Sequence, residues 1–304
     1  MPEDPVGGTC ATTMGGAGTM KPRRIDLAVI SDAHLGTFSC NDKALLSYLK
    51  GIEPKVLVLN GDFIDGWHFS RHFWPKTHMK ILKRILKLLG KGVQVFYVTG
   101  NHDGFLRRFT DFEMGNFHLV DKLVLEHEGK RIWIFHGDVF DVAMEHSRWV
   151  VWLGSAGYAI LIILNRLVNF FLRRLGRGNL SVASRIKDSM HRARRYTEKF
   201  EQIAVDLARE KGYDAVVCGH IHHAKISVHH DEMGRKILYL NSGDWIENLT
   251  ALEYEDGAWN IHRAVRHVDV EPEEADAPEH GPQDGWQDRP AVGWNLSSCK
   301  AVDG

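Results

Sequence analysis

From Arg24 onward, short apolar runs rich in Val, Ile and Leu end repeatedly in Gly, Asp, Asn or His: IDLAVISDAH, KVLVLNGDF, GVQVFYVTGNHD, KRIWIFHGD, YDAVVCGHIHH and KILYLNSGDW. Apolar runs of this length, bounded by turn residues, predict buried strands. Between the early ones the spacing predicts helices over Asp42 to Lys50 and Thr77 to Lys91, the second with Met79, Ile81, Leu82, Ile85, Leu86, Leu88 and Leu89 near a 3.6-residue period. Later, ISVHH, KILYL and TALEYEDGAWNIHRAV follow one another without helices, which predicts antiparallel pairing. Alternation followed by successive strands predicts an α/β (α+β) domain, with helices packed outside one or two mixed sheets.

Between Val139 and Gly212 the alternation stops and the chain reads as helix. From Ile162, Arg166, Asn169, Arg173 and Arg177 share one face and Leu164, Leu167, Val168, Phe171 and Leu175 the other, until Gly176 and Gly178 break the pattern. A second helix is predicted from about Ser181 to Lys211, with Ile186, Met190, Ala193, Phe200, Ile203 and Leu207 on its apolar stripe. This block reads as an inserted helical cap over about 140–212.

Composition narrows the class. The 304 residues, 44% of them hydrophobic, can fill a sizeable globular core. Cys10, Cys40, Cys218 and Cys299 show no pairing or metal-site spacing, which fits a reducing compartment. Residues 1–22 lack the continuous apolar core of a signal peptide and read as a disordered leader. The folded domain is expected over 23–268. From Asp269 to Gly304 nine Asp or Glu face two Lys or Arg, a disordered acidic tail that leaves +6 on the rest of a chain of formal net charge −1. That basicity concentrates between Arg166 and Arg195, where nine Lys or Arg meet the single acid Asp188.

The strand ends carry candidate chemistry, as expected where an open sheet presents its carboxyl edge. Asp32 and His34 follow the first run, Asp62 the second, Asn101 and His102 the third, His136 the fourth, and His220 and His222 the fifth. On an extended segment, Asp-x-His and His-x-His point both side chains the same way, so each pair could chelate one centre. Gly61, Gly100, Gly137 and Gly219 stand beside these residues, where the backbone must turn sharply or allow close approach. Taken singly each feature is weak, because a histidine at a strand end is more often structural than a ligand. Asp65, Asp138 and Asp244, in GDFID, HGD and NSGDW, are expected to orient histidines or close turns rather than bind metal.

The ordered set Asp-x-His, Gly-Asp, Gly-Asn-His-Asp, His-Gly-Asp and Gly-His-x-His resembles the five-part signature of the calcineurin-like metallophosphoesterases. The resemblance implies a four-layer sandwich of two mixed β-sheets flanked by helices, with the cap inserted. It also implies two divalent metal ions: Asp32, His34 and His222 would hold the first, Asn101, His136 and His220 the second, and Asp62 would bridge them. Mixed carboxylate, amide and imidazole ligands suit manganese, with iron or zinc as alternatives, better than calcium. Such a pair activates an attacking water and clamps the phosphoryl oxygens of an in-line displacement. His102 would contact the phosphate or protonate the leaving group, with Asp103 to orient it; the plainer alternative is a structural histidine behind the ligands.

The cap, together with GHIHHA and YLNSGDWIENLTALEY, resembles the bacterial UDP-2,3-diacylglucosamine diphosphatases and their close homologues over about Ile25 to Val265. This implies hydrolysis of UDP-2,3-diacylglucosamine to UMP and acylated glucosamine 1-phosphate, by a cytoplasmic protein peripheral on an anionic inner-membrane surface. The best-studied branch has Gly-Asn-Arg-Asp where this chain has Gly-Asn-His-Asp at Gly100 to Asp103, so another lipid diphosphate or phosphodiester stays open.

The residues themselves also suit a lipid. An apolar helix beside nine basic residues fits an acylated, anionic molecule at a membrane surface. Arg166, Arg173, Arg185, Arg192 and Arg195 are the candidate phosphate or headgroup contacts; the plainer alternative makes the apolar residues the cap's own interface and the arginines a solvated face. Residues 149–176 come close to the length of a membrane span. However, His136 precedes them and His220 follows, and both would reach the same ion, so a single crossing is not expected. A nuclease or soluble phosphodiesterase would be favoured by aromatic platforms among the basic residues. Phe170 and Phe171 stand instead in an aliphatic run, and no nucleic-acid partner is expected. A non-catalytic scaffold is disfavoured because all seven expected ligands are present. The oligomeric state stays open.

Overall fold

A computed structural model describes residues 21–68, 73–143 and 182–265. In chain order these form β1 (Arg23–Ile30), α1 (Asp42–Lys50), β2 (Ile52–Asn60), α2 (Lys76–Gly90), β3 (Gln94–Val98), a 3-10 helix (Gly104–Phe109), β4 (Phe112–Met114), β5 (Phe117–Val120), β6 (Leu123–His127) and β7 (Lys130–Ile134). There follow α3 (Phe140–Ala143), α4 (Val182–Glu210), β8 (Ala215–Cys218), β9 (Lys225–His230), β10 (Lys236–Asn241), β11 (Thr250–Glu255) and β12 (Ala258–Arg263). The six apolar runs each form a strand. β4, β5 and β6 are additional to the expected runs: β4 is exposed throughout and β5 buries only Leu119, whereas β6 is a buried strand paired antiparallel with β7.

Two mixed sheets result. The larger has the order β12-β11-β1-β2-β3-β5-β4, and the smaller β6-β7-β8-β10-β9. β1, β2, β3 and β5 pair in parallel, as do β7, β8 and β10, while β11, β12, β4, β6 and β9 add antiparallel partners at the edges.

Alternation within single strands sorts the core into layers. Leu27 and Val29 of β1, Val56 and Val58 of β2, and Phe96 and Val98 of β3 pack with Ile132, Ile134, Val217 and Leu240 of the smaller sheet, filling the space between the sheets. Their sequence neighbours Ala28, Ile30, Leu57, Leu59, Val95 and Tyr97 face the other way, onto Leu45 and Leu49 of α1 and Ile81, Ile85 and Leu88 of α2. On the far side, Trp133, Val216, Cys218, Ile237 and Tyr239 receive Phe200, Ala204, Val205 and Ala208 of α4. The succession helices, sheet, sheet, helix is the four-layer sandwich. Both central strand sets are therefore buried on two faces, which is why they read as continuous apolar runs.

Local signals set the element ends. α1 starts where the Asn41 side chain accepts from the Ala44 amide at 3.3 Å, an N-cap that satisfies one orphan donor. α4 follows the predicted bounds closely, but its docking face differs from the predicted stripe. Phe200, Ile203 and Leu207 do pack on the sheet, joined by Ala204, Val205 and Ala208, whereas Ala193 is exposed. The leader 1–20, the tail from 266 and the 149–176 segment lie outside the described residues. Among the described residues no helix is long and apolar enough to cross a membrane.

Candidate metal centre

The loops leaving β1, β2, β3, β7 and β8 converge at one end of the sandwich. Among the described residues three groups of potential ligand atoms form there: Asp32 with His34 and His222, Asp62 with His136 and His220, and His34 with Asp65 and His102, the last already joined by hydrogen bonds. The first two are the groupings expected for the two ions, with Asp62 falling beside the second. Asn101 contributes a buried Oδ1 that has no hydrogen-bond partner.

The backbone at these positions is not extended. Asp32, His34, Asp62, His220 and His222 all have left-handed φ, of 52°, 49°, 51°, 67° and 53°. The paired side chains therefore share a side through tight turns, not through the two-residue repeat of a strand, which corrects the sequence expectation. A non-glycine residue in this region costs of order 1 kcal/mol or more, and such residues concentrate where surrounding structure over-determines them for function. Backbone bonds across the loops provide that constraint: the Asp32 and His34 amides donate to the Gly61 and Asp62 carbonyls at 3.1 and 2.9 Å.

Ring orientation follows from the bond each imidazole makes with its other nitrogen. His136 Nδ1 donates to the Asn60 carbonyl at 2.9 Å, and His34 Nδ1 to Asp65 Oδ2 at 3.1 Å. Both bonds leave the Nε2 lone pair inward, and His34 Nε2 and His136 Nε2 are buried without a hydrogen-bond partner. Asp32 Oδ1 is in the same condition, with His222 Nε2 3.2 Å away. Buried polar atoms are rarely left unsatisfied. Finding four of them (one carboxylate oxygen, one amide oxygen and two imidazole nitrogens) on the expected ligands is what a divalent-metal site requires, and the residues fit the group. Each ring's second bond sets its tautomer, as metal-binding histidines need.

The charges agree. Burial alone would raise the pKa of Asp32, but the nearby His222 and His136 lower it to about 2. For Asp62 too, His136 and His34 outweigh burial and hold the carboxyl well below the ordinary range. Conversely, burial opposes protonation of His222, and Asp32 overrides it, pushing the ring up to about 9. The carboxylates thus draw positive charge into the pocket, and a divalent cation competes with protons for the same atoms.

Asp65 is a hub. Its Oδ1 accepts from the Trp67 and His68 amides at 3.0 and 2.7 Å, and its Oδ2 from His34 Nδ1 and from His102 Nδ1 at 2.9 Å. Burial would raise Asp65, but the hydrogen bonds from His102, His34 and the His68 amide hold it well below the usual aspartate range. Burial lowers His102, yet Asp65 and the Asp62 charge raise it above an ordinary histidine. Asp103 does not orient His102. Its carboxylate accepts from the Tyr97 hydroxyl at 2.7 Å and from the Gly100 and Phe63 amides, binding the loops together. Burial and the Asp62 charge push Asp103 up.

Asp138 pairs with Arg107 at 2.6 Å instead of holding a histidine, and Asp244 caps the turn of Ile246, Glu247 and Asn248 as expected. Asp141, not foreseen, accepts from His220 Nε2 at 2.9 Å. An acid five residues after His136 in HGDVFD was its signal in the sequence. Of the basic candidates, Arg195 is exposed on α4, Arg185 and Arg192 fall on that helix, and Arg166 and Arg173 lie outside the described residues.

Residues 25–224 match the family model of the calcineurin-like phosphoesterases. A UDP-2,3-diacylglucosamine hydrolase of Aliivibrio fischeri is 25% identical, covering 77% of this chain and 96% of its own. The protein of the same description from Neisseria meningitidis serogroup B is 26% identical, covering 75% and 93%. Among solved structures, a Vps29 variant of Entamoeba histolytica aligns with 78% of this chain and 97% of its own, at 14% identity and a TM-score of 0.36.

Proposed function

The chain belongs to the calcineurin-like phosphoesterase family, and from that membership we propose that it hydrolyses the diphosphate of UDP-2,3-diacylglucosamine or of a closely related lipid-linked diphosphate. The products would be UMP and an acylated glucosamine 1-phosphate. The observation that carries the reaction class is the pair of neighbouring ligand groups, one on Asp32 and one on Asp62, with three of their atoms and Asn101 Oδ1 buried and unsatisfied. The substrate rests on the relatives, which this chain matches along nearly their whole length.

Two divalent ions, manganese first, would supply Lewis acidity and an activated water. Asp32, His34 and His222 would hold one, Asn101, His136 and His220 the other, and Asp62 both. The remaining steps belong to the protein's own groups. His102 spends Nδ1 on Asp65, which leaves Nε2 for the substrate, and the Asp65 and Asp62 charges that raise its pKa favour the protonated ring that would donate to the leaving phosphate oxygen. A cavity of about 410 Å³ lined by Arg194, Glu198 and Glu201 of α4 and by Ile221, His223 and Lys225 lies beside the Gly219–His223 loop and offers room for a substrate group. α4 begins within the basic run and ends as the outer layer of the sandwich on the smaller sheet, so the cap reading is confined to the residues before about Phe200, and the basic run there supports reading the protein as peripheral on an anionic membrane.

The test is direct. Purified protein with manganese should release UMP from UDP-2,3-diacylglucosamine, and Asp62→Ala should abolish release. Cleavage of deacylated nucleotides with none of the acylated substrate would overturn the lipid assignment and favour a soluble phosphodiesterase.

A further inference from the structure

Helix α4 reaches the metal centre through two residues one turn apart. The Tyr196 hydroxyl donates to Asp141 Oδ1 at 3.0 Å, and the same oxygen accepts from His220 Nε2 at 2.9 Å. Four residues on, the buried Phe200 ring stacks near His220, with centroids 6.3 Å apart and planes 28° apart. Phe200 also closes on the turn after His136: Gly137 has φ 114°, and a Cβ there would meet the Phe200 ring at 2.6 Å. Residues four apart share a helix face. One face of α4 therefore bears on His220 and on the turn that follows His136, the two histidines grouped with Asp62.

His220 needs outside support. Its φ is left-handed, and its amide is held by Asp32 Oδ2 at 3.0 Å, which fixes the backbone but not the ring. A neutral imidazole that donates from Nε2 presents its lone pair on Nδ1. Asp141 thereby selects the tautomer and rotation of the ring, while Tyr196 anchors Asp141 to the helix. We propose that Asp141 is a positioning residue for His220 and that Tyr196 locks it, so that docking of α4 and metal binding by Asn101, His136 and His220 are energetically linked. The inference rests on the metal reading of the site. Linkage is reciprocal: what tightens the metal must tighten the helix.

The experiment uses the full chain and manganese alone. Calorimetric titration should give two ions per wild-type chain. Tyr196→Phe, which removes one hydroxyl and keeps the packing, and Asp141→Asn should retain one ion and weaken the other by about 10- to 100-fold, the usual cost of removing a partner behind a ligand. In parallel, manganese should slow hydrogen exchange over residues 193–205 in the wild type and much less in Tyr196→Phe. Unchanged binding of both ions in both variants, or exchange on α4 that ignores manganese, would overturn the link. Weakening in Asp141→Asn alone would remove Tyr196 from it. A wild type that binds no metal would overturn the metal reading itself, a result distinguishable from either.

Discussion

The Asp65 carboxylate accepts a hydrogen bond from His102 Nδ1 at 2.9 Å, on the same oxygen that holds His34. One buried acid therefore aims both a candidate ligand and the candidate proton donor. Asp65→Asn keeps the shape but removes the charge, and whichever way the amide is turned its NH2 meets donors, either the Trp67 and His68 amides or the two imidazoles. Manganese affinity at the Asp32, His34 and His222 position should fall by about 10- to 100-fold. Because His102 also loses its partner, kcat should stay depressed at saturating manganese, and steady-state kinetics across a metal titration would separate the two effects. Full recovery of kcat with excess metal would confine Asp65 to the metal ligand alone.

His102→Gln tests the donor itself. Loss of a general acid costs about 10²- to 10⁴-fold in rate, and both ions should stay bound, since His102 is not among the seven proposed ligands and its Nδ1 is bonded to Asp65. The loss should shrink sharply on a nitrophenyl phosphodiester, whose leaving group needs no proton. Equal losses on natural and activated substrates would mark His102 as structural.

The fold and the polar residues that gather at the strand ends were largely legible because the same physics marks both. Strands buried on two faces appear as unbroken apolar runs, and the polar residue at the end of such a run has to face a turn, a site or solvent. That located Asp32, Asp62, Asn101, His136 and His220 without any knowledge of contacts. What was not legible depends on which loop meets which. Asp103 is adjacent to His102 in sequence, yet Asp65, 37 positions away, holds the ring. Asp141 and His220 are separated by 79 positions and meet only because β7 and β8 pair in parallel, carrying the loops after them to the same edge. The left-handed turns at five ligand positions were equally hidden, since Asp and His carry no local signal demanding them as glycine does.

Gly61→Ala should damage the centre from behind. Gly61 has φ 80°, and a Cβ there would lie 2.3 Å from His136 Nδ1, the atom that donates to the adjacent Asn60 carbonyl. An L-residue in this conformation costs roughly 1–2 kcal/mol, and the ring must also move. We expect reduced stability in urea together with loss of one manganese per chain. A variant that is destabilised yet retains two ions would show that the ring can yield without leaving its place.

Glu201 ties α4 to β9 and supplies a pH-dependent test away from the metals. Its carboxylate accepts from Lys225 Nζ at 2.7 Å, Ser227 Oγ at 2.5 Å and His229 Nε2 at 2.8 Å. Burial would raise its pKa, but the bonds from Lys225, Ser227 and His229 lower it below the ordinary value of 4.5. A carboxyl depressed in the folded state stabilises fully above its unfolded pKa, and that contribution is lost as pH falls through the folded value. Other carboxylates titrate in the same range, so the informative quantity is a difference. Urea melts of wild type and Glu201→Gln should differ by a constant amount from pH 7 down to about 5 and converge as pH falls from about 4.5 toward 3. The glutamine variant should also show faster hydrogen exchange on α4 at neutral pH, because it cannot hold the Lys225 charge. Curves that stay parallel to pH 3 would mean that Glu201 holds the helix by shape alone, and that the charge on its carboxyl contributes nothing.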